Sequence, residues 1–304
     1  FNEKEFDKLL INQKENSRKN WIGTGDILTD KVWYTIAENK DKIEFFRNTD
    51  QLESKVLYII RNNNIVQSVD SGSIAYIILD KTPFYAQAGG QVGDTGTIVL
   101  GNNLAEVVDT QKIAELIIHK CIVNQGAFKA NDIVIATIDK YRRLAISRNH
   151  TATHLLHSAL KKVLGNHVFQ QGSLVSPDKL RFDFCYDKSL TTNEIQDIEE
   201  IVLKAIDDSI EVKTEIMNKA EALNQGAIAI FSEKYPEQVR VVSIANKSKE
   251  LCFGEHVKNT TQIGAFKIVS ISSNGSQTQR IEAVTGRVVR KYLEDDLHKQ
   301  KLII

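Results

Sequence analysis

The sequence predicts an α+β protein in two parts, an antiparallel β-barrel followed by a layered α+β domain. Three observations carry this. Short β-branched runs punctuated by Asn, Gly and Asp fill residues 27–140. A helical apolar period begins near Tyr141. Beyond Leu180, strands with alternating faces are interleaved with a capped helix. A chain of 304 residues, 42% hydrophobic and 26% charged, has ordinary globular composition and room for about two domains.

Residues 1–26 read as a helical connector. Phe6, Leu9, Leu10 and Gln13 fall near one face, and Trp21-Ile22-Gly23-Thr24-Gly25 breaks the period. In 27–140 the predicted strands are Lys55–Arg61, Ser73–Leu79, Thr97–Leu100, Leu116–Val123 and Ile133–Ile138. Turn material lies between them at Asn62-Asn63-Asn64, Gly101-Asn102-Asn103 and Asn124-Gln125-Gly126. Many short strands at this spacing suggest a barrel. The second domain is placed at 141–286. Its first helix, 141–164, sets Leu144, Thr151, Leu155, Ala159 and Val163 near one side. Leu180, Phe182, Phe184 and Tyr186 share one strand face. Thr191-Thr192-Asn193-Glu194 is a capping box that opens a helix through Ile195, Ile198, Val202 and Ile206. Strands at Val239–Ile244, Ala265–Ile271 and Gln279–Val284 follow, closed by Thr285-Gly286, and 287–304 starts a polar C-terminal helix.

Composition excludes several classes. No run approaches the ~18–20 apolar residues of a spanning helix, so no membrane partner is expected. The 39 Lys+Arg balance 39 Asp+Glu, which excludes a general polyanion coat and gives no reason to expect DNA; nucleic-acid contact needs a local patch. Such unevenness exists: residues 141–190 carry eight Lys/Arg against three Asp, and 191–209 carry six acids against one Lys. These are either two solvated faces that cancel or a basic entrance backed by an acidic helix. Cys121, Cys185 and Cys252 are too scattered for a disulfide framework, which suggests a reducing, cytoplasmic setting. Opening on Phe1 and holding one methionine, Met217, the chain reads as a piece of something longer.

The chemistry lies in two pairs. His150 and His154 are four apart on the predicted helix, so their imidazoles share a face. Cys252 and His256 repeat that spacing 98 residues after His154. Three imidazoles and a thiolate suit tetrahedral Zn²⁺, and ligands from two distant segments would pin the fold together. His157, near the same face, is expected to pack rather than ligate. Thr151 stands where a zinc-protease helix needs its Glu, which excludes that motif, and no phosphate loop is present. Gly89-Gly90-Gln91-Val92-Gly93-Asp94-Thr95-Gly96 is either a tight turn or a backbone built for close approach.

Several stretches carry a resemblance: Phe84–Gly96, Asn149-His-Thr-Ala-Thr-His-Leu-Leu-His157, His167–Val175, Leu180–Phe184, Gly226–Tyr235, the Cys252/His256 segment and Arg280–Gly286. Together the sequence resembles an internal portion of the alanyl-tRNA synthetase family. The four metal donors alone would not separate it from the editing domain of threonyl-tRNA synthetase; the glycine segment and the closing strand do. The resemblance implies a translation-factor-like barrel followed by an editing domain that hydrolyses seryl and glycyl esters of alanine tRNA with Zn²⁺ bound. ATP and Mg²⁺ would belong to an aminoacylation domain outside this sequence. It implies His150, His154, Cys252 and His256 as metal ligands and Gln170 in the editing pocket; Thr151, Thr153 and Ser173 are candidate pocket hydroxyls or core and capping residues. Gln91 and Asp94 are candidates for contacting the tRNA end. Arg181 and Arg280 would meet phosphate or form strand-face salt bridges. Two alternatives stand beside this: a non-catalytic tRNA-binding module with a degenerate site, and a free-standing deacylase acting in trans.

The family's usual Cys-Gly-Gly-Thr-His is here Cys252-Phe253-Gly254-Glu255-His256, and Gln87 replaces a usual acid. Both metal ligands survive. Phe253 and Glu255 would narrow the pocket, weaken approach of the tRNA end, or supply a carboxylate base.

Overall fold

The computed structural model describes residues 31–301 apart from 40–42, 114, 231–234, 274 and 276. The connector expected over 1–26 lies outside the described residues.

A short helix, α1 (Lys31–Glu38), precedes six long strands: β1 (Gln51–Arg61), β2 (Ile74–Leu79), β3 (Gly96–Leu100), β4 (Asn103–Ile113), β5 (Leu116–Gln125) and β6 (Ile133–Ile138). They pair antiparallel in the order β6-β3-β4-β5-β2-β1, and β6 returns to β1 with Ile133 opposite Lys55 and Thr137 opposite Gln51, closing the barrel. Closure removes the exposed edges that an open sheet would present. The interior is filled by Ile59, Ile77, Phe84, Ile98, Val107, Val123 and Phe128. The next residues along the strands, Ile60 and Ile78, point outward and are equally buried, because α1 lays Trp33 and Ile36 across them. This is why those strands read as continuous apolar runs rather than as alternation.

The barrel leads directly into α2 (Lys140–Leu164), whose N-cap Asp139 accepts from the Tyr141 and Arg142 amides. Then come β7 (Gln170–Val175), β8 (Leu180–Cys185), α3 (Thr192–Asp207), β9 (Val212–Asn218), α4 (Lys219–Asn224), β10 (Gln238–Ile244), β11 (Ser248–Leu251), β12 (Phe266–Ser273), β13 (Thr278–Thr285) and α5 (Arg287–Lys301). Two antiparallel sheets result, β7-β8-β13-β12 and β9-β10-β11. Helix α3 opens with the capping box read from Thr191 and Glu194. Leu155, Leu156, Ala159 and Leu160 of α2 pack with Phe182 and Phe184 of β8, with Ile198 and Val202 of α3, and with Val242 of β10. Every residue from Asn149 to His157 is buried, so the middle of α2 is enclosed on all sides. One of those sides is barrel-derived: the segment between β2 and β3 crosses to β7, where Val175 donates to Gly90 O at 2.7 Å and Val92 donates to Val175 O at 3.0 Å.

Candidate metal centre and cleft

Helix α2 holds His150 and His154 one turn apart, and the segment after β11 brings Cys252 and His256 against them. One donor atom from each of the four lies within 4.8 Å of all the others. Cys252 Sγ is 3.4 Å from His150 Nε2 and 3.3 Å from His256 Nε2. A tetrahedral zinc shell, with bonds of ~2.1 Å to nitrogen and ~2.3 Å to sulfur, sets donor atoms about 3.4–3.6 Å apart. The spacing fits such an ion.

The opposite edge of each imidazole is also provided for. His150 Nδ1 lies 2.7 Å from Gln91 Oε1. His256 Nδ1 lies 3.1 Å from Thr151 Oγ1, whose own proton goes to Ser147 O, so the hydroxyl oxygen accepts. His154 Nδ1 faces the buried Glu250 carboxylate at 3.7 Å. At His150 and His256 the acceptors at Nδ1 place the proton there and leave Nε2 with its lone pair free, the arrangement that orients ligating histidines in metal sites, whereas His154 meets Glu250 by charge rather than by a hydrogen bond. Charge points the same way. Burial alone would push the Cys252 thiol up, but His150 and His256 outweigh it and hold it well below its ordinary range. Burial would pull His154 down, yet Glu250 and Cys252 raise it to about 9. A buried thiolate and carboxylate together favour positive charge beside them, which a divalent ion held by the four donors would supply.

The loop that carries Cys252 is held by its carbonyls. Arg240 donates to Cys252 O at 2.8 Å and to Gly254 O at 2.9 Å, while Arg47, from the segment before the barrel, donates to Phe253 O at 2.7 Å. Gly254 passes so close to His150 that a Cβ there would overlap the imidazole ring. Gly90 has φ +83°, and a Cβ would stand 2.7 Å from Ser173 O. The glycine segment is thus both a turn and a close approach.

Above the donors opens a cleft of about 150 Å³, whose walls include Gln170, Ser173, Thr153 and Phe253. Gln170 sits where the β7–β8 register shifts, a bulge that aims its side chain. Thr153 donates to Asn149 O at 2.8 Å, leaving its oxygen able to accept. Phe253 is 43% exposed at the cleft wall.

Other expectations are corrected. Thr151 does not line the cleft; it supports His256 from behind. Gln91 is fully buried and serves His150 and the Glu255 amide, which donates to it at 2.8 Å, so it is not exposed to a tRNA end. Asp94 is 1% exposed, accepts from the Tyr85 amide at 2.7 Å and is ion-paired with Arg143, so it also faces inward. Arg280 grips Asp183 with bonds of 2.7 and 2.9 Å, and Arg181 lies 3.4 Å from the same carboxylate, which is the salt-bridge outcome. Glu255 is buried and ion-paired with Arg47, turned into the barrel contact, and cannot act as a base in the cleft. His157 is not among the four donors and instead meets Glu250 at 3.2 Å. The sequence reading missed Glu250 and Arg47. Ser248 and Glu250 on the buried side of β11, with Lys249 between them less buried, would have flagged an inward acid; nothing local marks Arg47.

Comparison with known proteins gives a family for the chain. The family model for class II (A) tRNA synthetases matches residues 1–142, and that for the threonyl and alanyl tRNA synthetase second additional domain matches residues 239–282. The alanine–tRNA ligase of Wolbachia pipientis wMel is 42% identical over 300 residues, covering 97% of this chain and 34% of that protein. Those of Rickettsia massiliae (strain Mtu5) and Sinorhizobium medicae (strain WSM419) are 41% and 39% identical over 96% and 98% of this chain, and 34% and 35% of theirs. The chain spans about a third of the length of these relatives. Two family models and near-complete coverage by such relatives place the chain in the alanyl-tRNA synthetase family.

Proposed function

We propose that this chain hydrolyses the ester linking serine or glycine to the 3′ end of alanine tRNA, with Zn²⁺ held by His150, His154, Cys252 and His256, in a cytoplasmic setting. The observation that carries this is the four converging donors at a small cleft walled by Gln170. The need for such a site is physical. A pocket built for alanine gains only ~1–3 kcal/mol from the methyl that glycine lacks, and an apolar pocket rejects an added hydroxyl poorly. Fidelity therefore requires testing the product. Ligation itself, with ATP and Mg²⁺, is assigned to parts of the relatives that this chain does not span.

Zinc bound there would anchor the terminal adenosine beside the scissile ester and add electrostatic pull on it. Four protein ligands fill a tetrahedral shell, so anchoring is its main role in this reading. The chain's own groups do the rest. Among the described residues, the side chains of Gln170 and Ser173 have no hydrogen-bond partner within the protein, so both are available to substrate. The Gln170 amide accepts the serine hydroxyl or donates to the oxyanion as attack proceeds, and Thr153 offers a second acceptor. The test is deacylation of serine-charged alanine tRNA by the purified chain with one zinc bound. Wild type should hydrolyse it, and Gln170→Ala should lose on the order of 10²-fold in kcat with zinc content unchanged. No hydrolysis above buffer by folded, zinc-loaded protein would remove the reading.

One observation favours a second reading. Phe253, bulky and at the cleft wall, narrows the approach. A non-catalytic tRNA-binding module would bind tRNA with no hydrolysis and no response to Gln170→Ala.

A further inference from the structure

A second, larger concavity of about 520 Å³ lies further along α2 and β11. Lys161, Lys162 and Asn166 line one side, Asn246, Lys247 and Lys249 line the other, and His157 and Glu250 form part of its wall. Among the described residues, Glu250 is the one carboxylate lining it. That group is 2% exposed and already engaged by Ser248 at 2.9 Å and His157 at 3.2 Å, so it does not neutralise the lysines. Among the described residues Lys161, Lys162 and Lys247 have no acidic partner, and Lys249 donates to the neutral amide of Gln225 at 2.7 Å. Four ammonium groups thus border one groove in a chain whose net charge is zero. Among the described residues no ion pair relieves their mutual repulsion, although Lys162 also borders Asp197 and Glu200 on its other side, and an incoming anion lowers it.

We infer that this groove seats phosphate groups of an RNA backbone. Lysine, a compact charge on a flexible stem, suits phosphate contact rather than base reading. The identity of the RNA rests on the reading of the cleft given above: Lys161 follows His154 by seven residues, about 10 Å along the helix axis, so one tRNA with its 3′ end in the cleft can reach both. The groove then holds the acceptor strand by charge, without regard to sequence.

The test measures binding of uncharged alanine tRNA to the full chain by anisotropy between 50 and 200 mM salt. The variant is Lys161→Gln/Lys162→Gln/Lys247→Gln, with the triple Lys→Arg variant as charge-preserving control and zinc content as the check on folding. The glutamine variant should lose at least tenfold in affinity at low salt. Its log Kd against log salt slope should fall by about 2–3, since each lost phosphate contact removes roughly 0.7–0.9, while the arginine variant keeps the wild-type slope. An unchanged slope in the glutamine variant, or polyglutamate competing as well as tRNA, overturns the proposal. The two readings fail separately. Wild type that hydrolyses nothing yet shows the slope change retains the groove and loses the editing activity; hydrolysis with an unchanged slope does the reverse.

Discussion

The barrel and the α+β region each bury histidine, and they use it in opposite ways. In the barrel, His119 is fully enclosed, with Nδ1 donating to Ile77 O at 2.9 Å and Nε2 accepting from Thr82 Oγ1 at 2.8 Å. Both ring nitrogens are satisfied, and burial lowers its pKa to about 4, so it stays neutral as a core residue. On α2 and the β11 loop the same Nδ1 logic holds at His150 and His256, with Gln91 and Thr151 as acceptors, while His154 faces the Glu250 carboxylate at 3.7 Å. At Nε2 the settings part. His150 and His256 present theirs to one shared sulfur rather than each to its own hydroxyl donor. Burial alone therefore does not mark a metal ligand. What marks it is a set of lone pairs that converge with too few protons among them.

The distinction is broken most directly at Cys252. Cys252→Ala is expected to reduce bound zinc from about one per chain to near none and to abolish deacylation, read by metal analysis and ester hydrolysis; full zinc retention would reduce the cluster to packing. A smaller effect comes from His119. Its folded pKa of about 4 lies below the unfolded 6.5. The unfolded chain therefore binds the proton first, and stability is lost as pH falls from about 6.5 towards 4, by up to about 3 kcal/mol. Urea unfolding of wild type and His119→Asn across that range should show a steeper loss in wild type, the difference between the two being the His119 contribution, with zinc content at neutral pH unchanged in the variant. The mildest change is Glu250→Gln, which keeps shape but weakens the acceptor facing His154. Zinc affinity should fall about tenfold, the low end for such supporting groups, measured by chelator competition. An unaltered affinity would leave His154 oriented by packing alone.

Legibility followed locality. The Thr191–Glu194 capping box is complete within four residues and formed as read. Strand β4 was missed because Glu106, Asp109 and Lys112 interrupt its apolar pattern, although Ala105 and Val107 still face the barrel interior. Helix α1 was missed too: it is eight residues long in a region of strand-like runs, and only Trp33 and Ile36, three apart, hint at its buried face. At the site, the four donors were legible because each pair sits at helical spacing and the residue types state their chemistry. The roles of Gln91, Glu255 and Arg47 were not.

By itself the sequence determined which side chains offer metal-binding chemistry, where α2 begins, and that the glycine segment is a turn or a close approach. The tertiary structure alone decided which polar groups stand behind those ligands and which way Glu255 turns. Gln91 reaches His150 across 59 positions and Arg47 reaches the Cys252 loop across more than 200. A hydrogen bond depends on distance in space, and no local pattern encodes a partner supplied by another layer of the fold.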